Sequence, residues 1–370
     1  MISILAFTFS IVLLVFIHEL GHYLAARSVG VKVEKFYIGF NIFGYSLIKR
    51  NINGTEYGIG WLPIGGYVKL AGMIDESLDP SSSDIPKENQ LRYQPAWAKV
   101  WVMSAGVIMN FLLATFIFTI MLFKNGIPEP MSDQPLIAEV VENYYSPNGE
   151  ILKESAAYLL GLQAGDQIIK VDSLYINTWD DLSSAIHSKP NEKIYVEWLH
   201  NNEAKKGTII TDTTRTIIDY KIKTIGILGI NRDIINRELN VIESIYYGFK
   251  MMTEYLNQMI FSLYALIIGN VSLEDLSGPV GIAQIAGNSA RAGIESLFFL
   301  IAILSINLGL VNILPIPALD GGHIFITLVE ALIGRELSLN VKMIIQQIGI
   351  LVLLSLFIFI MFNDISKIFN

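Results

Sequence analysis

The chain has no cysteine. Disulfides are therefore excluded on either side of a membrane, and so is any thiolate metal site; a bound metal would have to use His, Asp, Glu or water. Charge is also scarce. Only 16% of residues are charged, against roughly 25% in ordinary globular chains, while 52% are hydrophobic. No basic excess exists either: the net charge is −8, so nucleic acid is not an expected partner. No Lys or Arg precedes the first apolar run, Met1 to Ile17, so it lacks the basic start of a cleavable signal peptide. With a mean hydropathy of +0.48, these absences describe an integral membrane protein carrying a soluble part. Its 370 residues leave room for more than one domain.

What is present begins inside that first run. His18-Glu19-Leu20-Gly21-His22 is an H-E-x-x-H motif in an apolar, membrane-length helix. Residues four apart share a helix face, so His18 and His22 can each aim a ring nitrogen at one Zn2+. Glu19 projects to the side, where it could serve as general base toward a water the metal activates. Ionisable groups at bilayer depth are costly, so three together call for a function.

Four spans are expected: 1–24, 97–123, 294–322 and 344–362. Arg27, Lys32, Lys35, Lys49, Arg50, Lys69, Lys87 and Arg92 all follow the first, which puts that loop in the cytoplasm and the N-terminus outside. Arg335 and Lys342, between the last two spans, agree; Lys367 on the short tail does not. The mixed stretch from Ser244 to Gly269, within 241–293, reads as a pair of amphipathic helices on the outer membrane surface.

Near the end of the third span stands Asn307-Leu-Gly-Leu-Val-Asn312-Ile-Leu-Pro315-Ile-Pro317-Ala-Leu-Asp320-Gly321-Gly322-His323. Two prolines in three residues break the helix, and unwound backbone at membrane depth is tolerated only when it is buried in protein or lines a cavity. Asp320 follows the break. With spans one and three parallel it lies at the depth of His18 and His22, completing a His, His, Asp set with one open position, as in catalytic zinc sites. His323 is a rival ligand or a neighbour of the site. Asn307 and Asn312 could hydrogen-bond an unwound substrate backbone or simply join helices. His187 and His200 read as ordinary surface histidines.

Region 25–96 contains Glu56-Tyr-Gly58-Ile-Gly60-Trp-Leu-Pro63-Ile-Gly65-Gly66-Tyr67-Val68-Lys69-Leu70. It is β-prone and too broken to span; strands joined at a Pro-Gly-Gly turn fit it. Asp75 to Asn89 reads as a solvated linker. From 134 to 228 the chain is polar and β-rich, and Tyr158 to Asp172 has the form of a PDZ domain: a short helix, a Gly165-Asp166 turn and an alternating strand. A main helix from Asp180 to Ile186 and strands at Lys193–Trp198 and Lys206–Thr211 follow. Asn143 to Ser155 looks like an insertion beside a peptide-binding loop.

Taken together, the H-E-x-x-H span, the later N-x-x-P-x-P-x-L-D-G-G span and the soluble domain between them resemble the site-2 protease family of intramembrane zinc metalloproteases, in its bacterial regulator-of-sigma-E protease branch. Ser277-Gly-Pro-Val-Gly-Ile-Ala283 and Phe362-Asn363-Asp364 add to the likeness. The resemblance implies zinc on His18, His22 and Asp320, Glu19 as base, and substrate held by Asn307 and Asn312. It also implies a β-hairpin dipping back to the active site, with Gly58-x-Gly60 on an edge open to strand addition. Substrates would be single-span membrane proteins such as anti-sigma factors or remnant signal peptides. The chain would be a multi-pass bacterial inner-membrane protein, with its N-terminus and PDZ domain periplasmic and its active site toward the cytoplasm. Members of this branch often carry two PDZ domains; the space here fits one. The fold class is thus a polytopic α-helical membrane protein of about four spans, with a membrane-associated β-hairpin loop and one periplasmic α+β PDZ domain. Two rival readings are an inactive PDZ scaffold, which would not need the full set of four site residues, and a membrane-bound HExxH peptidase cutting outside the bilayer, for which no second Glu motif is evident.

Overall fold

The computed structural model describes residues 2–41, 44–73, 85–145, 151–218, 221–269 and 277–369. The elements in chain order begin with α1 (Ile2–Ser28), β1 (Val33–Phe40), β2 (Ser46–Ile52), β3 (Thr55–Gly60), β4 (Leu62–Leu70) and α2 (Ala96–Asn125). Next come β5 (Ile127–Pro130), β6 (Glu139–Val140), β7 (Asn143–Tyr145), β8 (Ile151–Glu154), α3 (Ala156–Leu160), β9 (Gln167–Val171), β10 (Leu174–Tyr175) and α4 (Trp179–His187). The strands β11 (Lys193–His200), β12 (Glu203–Ile210), β13 (Asp212–Ile218), β14 (Lys221–Ile227), β15 (Ile230–Asn231) and β16 (Ile234–Arg237) follow. The chain closes with α5 (Val241–Ile267), α6 (Pro279–Ala292), α7 (Ile294–Ile313), α8 (Asp320–Ile333) and α9 (Leu339–Phe369). Two compact units result: 1–124 joined with 240–370, and 125–239.

In the first unit, among the described residues, four helices are long and apolar enough to cross a membrane: α1, α2, α7 and α9. Their outward faces carry Ile4, Leu5, Phe116 and Leu351, all more than half exposed, as suits a helix whose solvent is lipid. The inward faces are lined with small and polar side chains. Ser10, Asn110 and Ser305 are wholly buried, and Ser305 Oγ donates to the Asn110 carbonyl at 2.7 Å, stitching α7 to α2. This is how helices associate where apolar contact alone gives no advantage. An apolar layer of Leu14, Ala114, Phe118, Ile301 and Ile306 fills the rest. Residues 244–267 belong to one continuous helix, α5, rather than to a pair; the second helix, α6, lies further on. Helix α5 starts from an Asn240–Glu243 capping box and packs Met252 and Tyr255 into the same layer.

The loop after α1 forms a four-stranded sheet of order β2-β3-β1-β4. Strand β3 pairs parallel with β1 and antiparallel with β2, and β4 pairs antiparallel with β1. Two expectations are corrected here. The hairpin is β2–β3, turning at Asn53-Gly54, where both residues have positive φ (53° and 77°), the requirement of a tight two-residue turn. The Pro63 to Gly66 stretch is instead part of β4. Gly58 and Gly60 lie on an interior strand with both edges paired, so neither offers an edge to a substrate. Their lack of a side chain serves packing: a Cβ on Gly58 would lie 2.3 Å from the Tyr37 ring, and one on Gly60 would lie 2.3 Å from the Phe40 carbonyl.

The second unit is α+β. Its main sheet has the order β10-β9-β11-β12, and Ile168, Ile194, Val196 and Ala157 are fully buried with Leu182 and Ile186 of α4. Helix α3 is capped by Ser155 and ends at Gly161 in the left-handed region. Helix α4 opens with a Thr178–Asp181 capping box. The expected helix, Gly-Asp turn, strand, helix and strand pair all occur within a few residues of their anticipated positions. His200 is not an ordinary surface histidine: its Nδ1 meets the buried Asp166 Oδ1 at 2.6 Å. Of the expected linker and insertion, 75–84 and 146–150 lie outside the described residues.

Candidate metal centre

Helix α1 carries His18 and His22 one turn apart on a buried face, each 7% exposed. Gly21, inside the same motif, allows the close approach of α2, since a Cβ there would stand 2.4 Å from the Ala105 carbonyl oxygen. After α7 ends at Ile313, the Pro315–Pro317 turn reverses the chain through Ala318 at φ 77° and delivers Asp320 as the first residue of α8.

Three ligand atoms converge there. His18 Nε2 lies 3.2 Å from Asp320 Oδ2, His22 Nε2 lies 3.3 Å from the same oxygen, and the two Nε2 atoms are 3.2 Å apart. Among the described residues, this is the group of His, Asp or Glu side chains placed to share a metal ion. The nearly equilateral triangle fits a zinc. Ligands at roughly 2.0–2.1 Å on a tetrahedron are about 3.3–3.4 Å from one another. Asp320 Oδ2 is buried and forms no hydrogen bond of acceptable geometry although two ring nitrogens are near it. Such an oxygen is costly unless a cation takes its lone pair. His22 Nδ1 donates to the Val102 carbonyl at 2.8 Å, which leaves the Nε2 lone pair for the metal.

A cavity of about 200 Å³ opens beside the triangle, lined by Val15, His18, Glu19, His22, Asn312, Asp320, His323, Gln346 and the β4 residues Gly65 to Val68. Glu19 lines this cavity together with Val68 of β4. Asn312 Nδ2 reaches His18 Nε2 at 3.2 Å. His323 shares the cavity but stands outside the triangle. Asn307 is exposed on α7 and does not line the cavity; Gly58 and Gly60 do not line it either. Two further contributors, the Val102 carbonyl and Asn110, lie outside the sequence motifs. A backbone carbonyl leaves no mark in a sequence. Asn110 does leave one, an amide in the middle of an apolar span.

A buried His, His, Asp triangle with a carboxylate at its rim, set among membrane-length helices, defines a membrane metalloprotease class. The model of peptidase family M50, the site-2 protease family, matches residues 6–356, and the chain belongs to that family. It is 33% identical, over 99% of its length and 94% of the relative's, to the Campylobacter jejuni protein named "Putative zinc metalloprotease Cj1068". It is 28% identical to the regulator of sigma-W protease RasP of Bacillus subtilis, with 99% of each chain covered. The chain is therefore a metalloprotease, and its metal is zinc.

Proposed function

We propose that this chain is an intramembrane protease that performs the second cut of regulated intramembrane proteolysis on single-span membrane proteins. The observation that carries the reading is the buried triangle of His18, His22 and Asp320 between apolar helices. These three side chains would hold the zinc. When bound, zinc supplies Lewis acidity, lowering the pKa of water toward roughly 7 and polarising the scissile carbonyl.

The remaining chemistry belongs to the chain. Glu19 takes the proton of the attacking water and returns a proton to the leaving nitrogen. A substrate helix hides its peptide bonds, so it must unwind first. Strand β4 is an edge of its sheet, and Gly65 to Val68 line the cavity, so an extended substrate segment can add there as a further strand. Asn312, on the cavity wall, hydrogen-bonds the unwound backbone. Unit 125–239 acts as a PDZ domain on the periplasmic side, and the metal lies toward the cytoplasmic side, as the Lys and Arg distribution of the first loop supports. The name of the Bacillus subtilis relative, a sigma-factor regulator protease, favours anti-sigma factors as substrates, with remnant signal peptides a second group.

Purified Glu19→Gln should keep one zinc per chain and lose roughly 10²–10⁴-fold in cleavage of a single-span substrate. The products of the wild type should map to cuts within the substrate's apolar segment. Normal turnover by the variant would refute the role of Glu19, and cuts confined to the substrate's soluble flanks would refute intramembrane action.

A further inference from the structure

Helix α2 sets three residues, each one turn from the next, against the imidazole pair: Val102, Gly106 and Asn110. The Val102 carbonyl can only accept, so His22 carries its proton on Nδ1. Gly106 keeps the centre of this face bare; a Cβ there would lie 2.4 Å from His22 Nε2 and 2.7 Å from His18 Cε1. Asn110 stands opposite His18, wholly buried. Its Nδ2 is 3.1 Å from His18 Nδ1, and its Oδ1 is buried with no hydrogen-bond partner.

His18 Nε2 faces the Asp320 carboxylate and the Asn312 amide. For that nitrogen to offer a lone pair, the ring proton must sit on Nδ1, as it does on His22. A protonated Nδ1 needs an acceptor. The orphaned Oδ1 of Asn110 becomes that acceptor when the amide turns over about its terminal bond, which removes the unsatisfied oxygen in the same step. Ser305, donating to the Asn110 backbone carbonyl at 2.7 Å, holds the residue in place.

We propose that Asn110 is a positioning residue of the metal centre: its side-chain oxygen accepts the His18 Nδ1–H, fixing the tautomer and ring orientation, so that one face of α2 supplies the outer hydrogen-bond partner of both imidazoles. This rests on the reading that His18, His22 and Asp320 hold the zinc.

The test measures zinc affinity of the full-length, detergent-solubilised protein by competition with a chromophoric chelator, together with the visible spectrum of the cobalt-substituted form. Asn110→Leu should weaken zinc binding by about 10–100-fold and alter the cobalt bands. Asn110→Asp, whose carboxylate can only accept, should bind zinc at least as tightly as wild type. The Asp variant decides the matter even if the Leu variant does not fold: were the Asn110 amide a donor to His18, an acceptor-only side chain would weaken the site. Wild-type affinity and spectrum in folded Asn110→Leu, or weakened binding in folded Asn110→Asp, would overturn the proposal. Asp320→Ala separates the two levels. If it keeps zinc, the ligand reading fails and this inference with it. If it loses zinc while Asn110→Leu keeps it, only the role of Asn110 fails.

Discussion

Each of the two units contains a close His–Asp contact, and the two have opposite meanings. In unit 125–239, His200 Nδ1 meets Asp166 Oδ1 at 2.6 Å, and the other carboxylate oxygen accepts from the Gln163 N–H at 2.9 Å. Every partner is accounted for, and the pair braces a turn over an apolar core. In the membrane unit, Asp320 Oδ2 sits 3.2–3.3 Å from two ring nitrogens and remains unsatisfied. A completed pair is structural; a converging, incomplete one is what the proposed zinc would complete. The surrounding packing sharpens the contrast. Unit 125–239 buries Ile168, Ile194 and Val196 completely, while the unit with the four long apolar helices exposes Ile4, Ile267 and Leu332 to more than two-thirds and buries Ser10, Asn110 and Ser305. In lipid a buried polar side chain marks either a helix seam or chemistry. In water an exposed one marks nothing.

The largest expected effect comes from exchanging the two aspartates in turn. Asp320→Ala should abolish zinc binding and cleavage with little cost to the fold, because the removed oxygen made no hydrogen bond. Asp166→Ala should leave the zinc content at wild-type level and destabilise unit 125–239 by about 1–3 kcal/mol, the cost of an unpaired buried partner. Metal analysis of the purified variants and hydrogen exchange of the Gln163 and His200 amides check both halves. Zinc retained by Asp320→Ala would break the comparison.

The metal centre was more legible in the sequence than the sheet beside it. His18 and His22 share a helix face by spacing alone. Asp320 is announced by Pro315 and Pro317, which must end α7. The apolar spans are long enough to stand out singly. The β-sheet is different, since its strand order depends on which distant strands pair. Nothing in Glu56 to Leu70 says that β1 inserts between β3 and β4, so the motif alone points to Gly58 and Gly60 for an edge, whereas the edges of the sheet are β2 and β4. One signal was available: Asn53-Gly54 is a strong hairpin turn, and it closes β2 onto β3. The single helix α5 was hidden for another reason. Lys250, Glu254, Asn257 and Gln258 interrupt its apolar run, yet its inward face still packs against α2 and α7 through Met252, Tyr255 and Phe118.

A smaller effect separates the two kinds of exterior. Ile168→Ala empties a fully buried site in the second unit and should cost about 2–5 kcal/mol there. Ile4→Ala, on a face 68% exposed, should change stability by no more than about 0.5 kcal/mol. Urea-dependent hydrogen exchange of β9 and β11, and of α1 respectively, reads the two. A similar loss at both positions would mean that the outer face of α1 is packed against something other than lipid.

The smallest effect lies on the polar side of the second unit and has a definite sign in pH. The Asp172 carboxylate is held below its ordinary range, first by its ion pair with Lys189 and then by the Tyr195 N–H, which it accepts at 2.8 Å. A carboxyl whose folded pKa is depressed stabilises the fold above its unfolded pKa, about 3.9, and that contribution is lost as the pH falls below this toward the folded value. Asp172→Asn should therefore destabilise the unit at pH 7 by on the order of 1 kcal/mol, since the group is partly exposed. The gap between wild type and variant should close progressively below about pH 4. Parallel urea titrations of both proteins from pH 7 to pH 3, followed by exchange into β9 and β11, measure it. A gap that stays constant across that range would mean that Asp172 acts through its hydrogen bonds and shape, and that its charge contributes nothing.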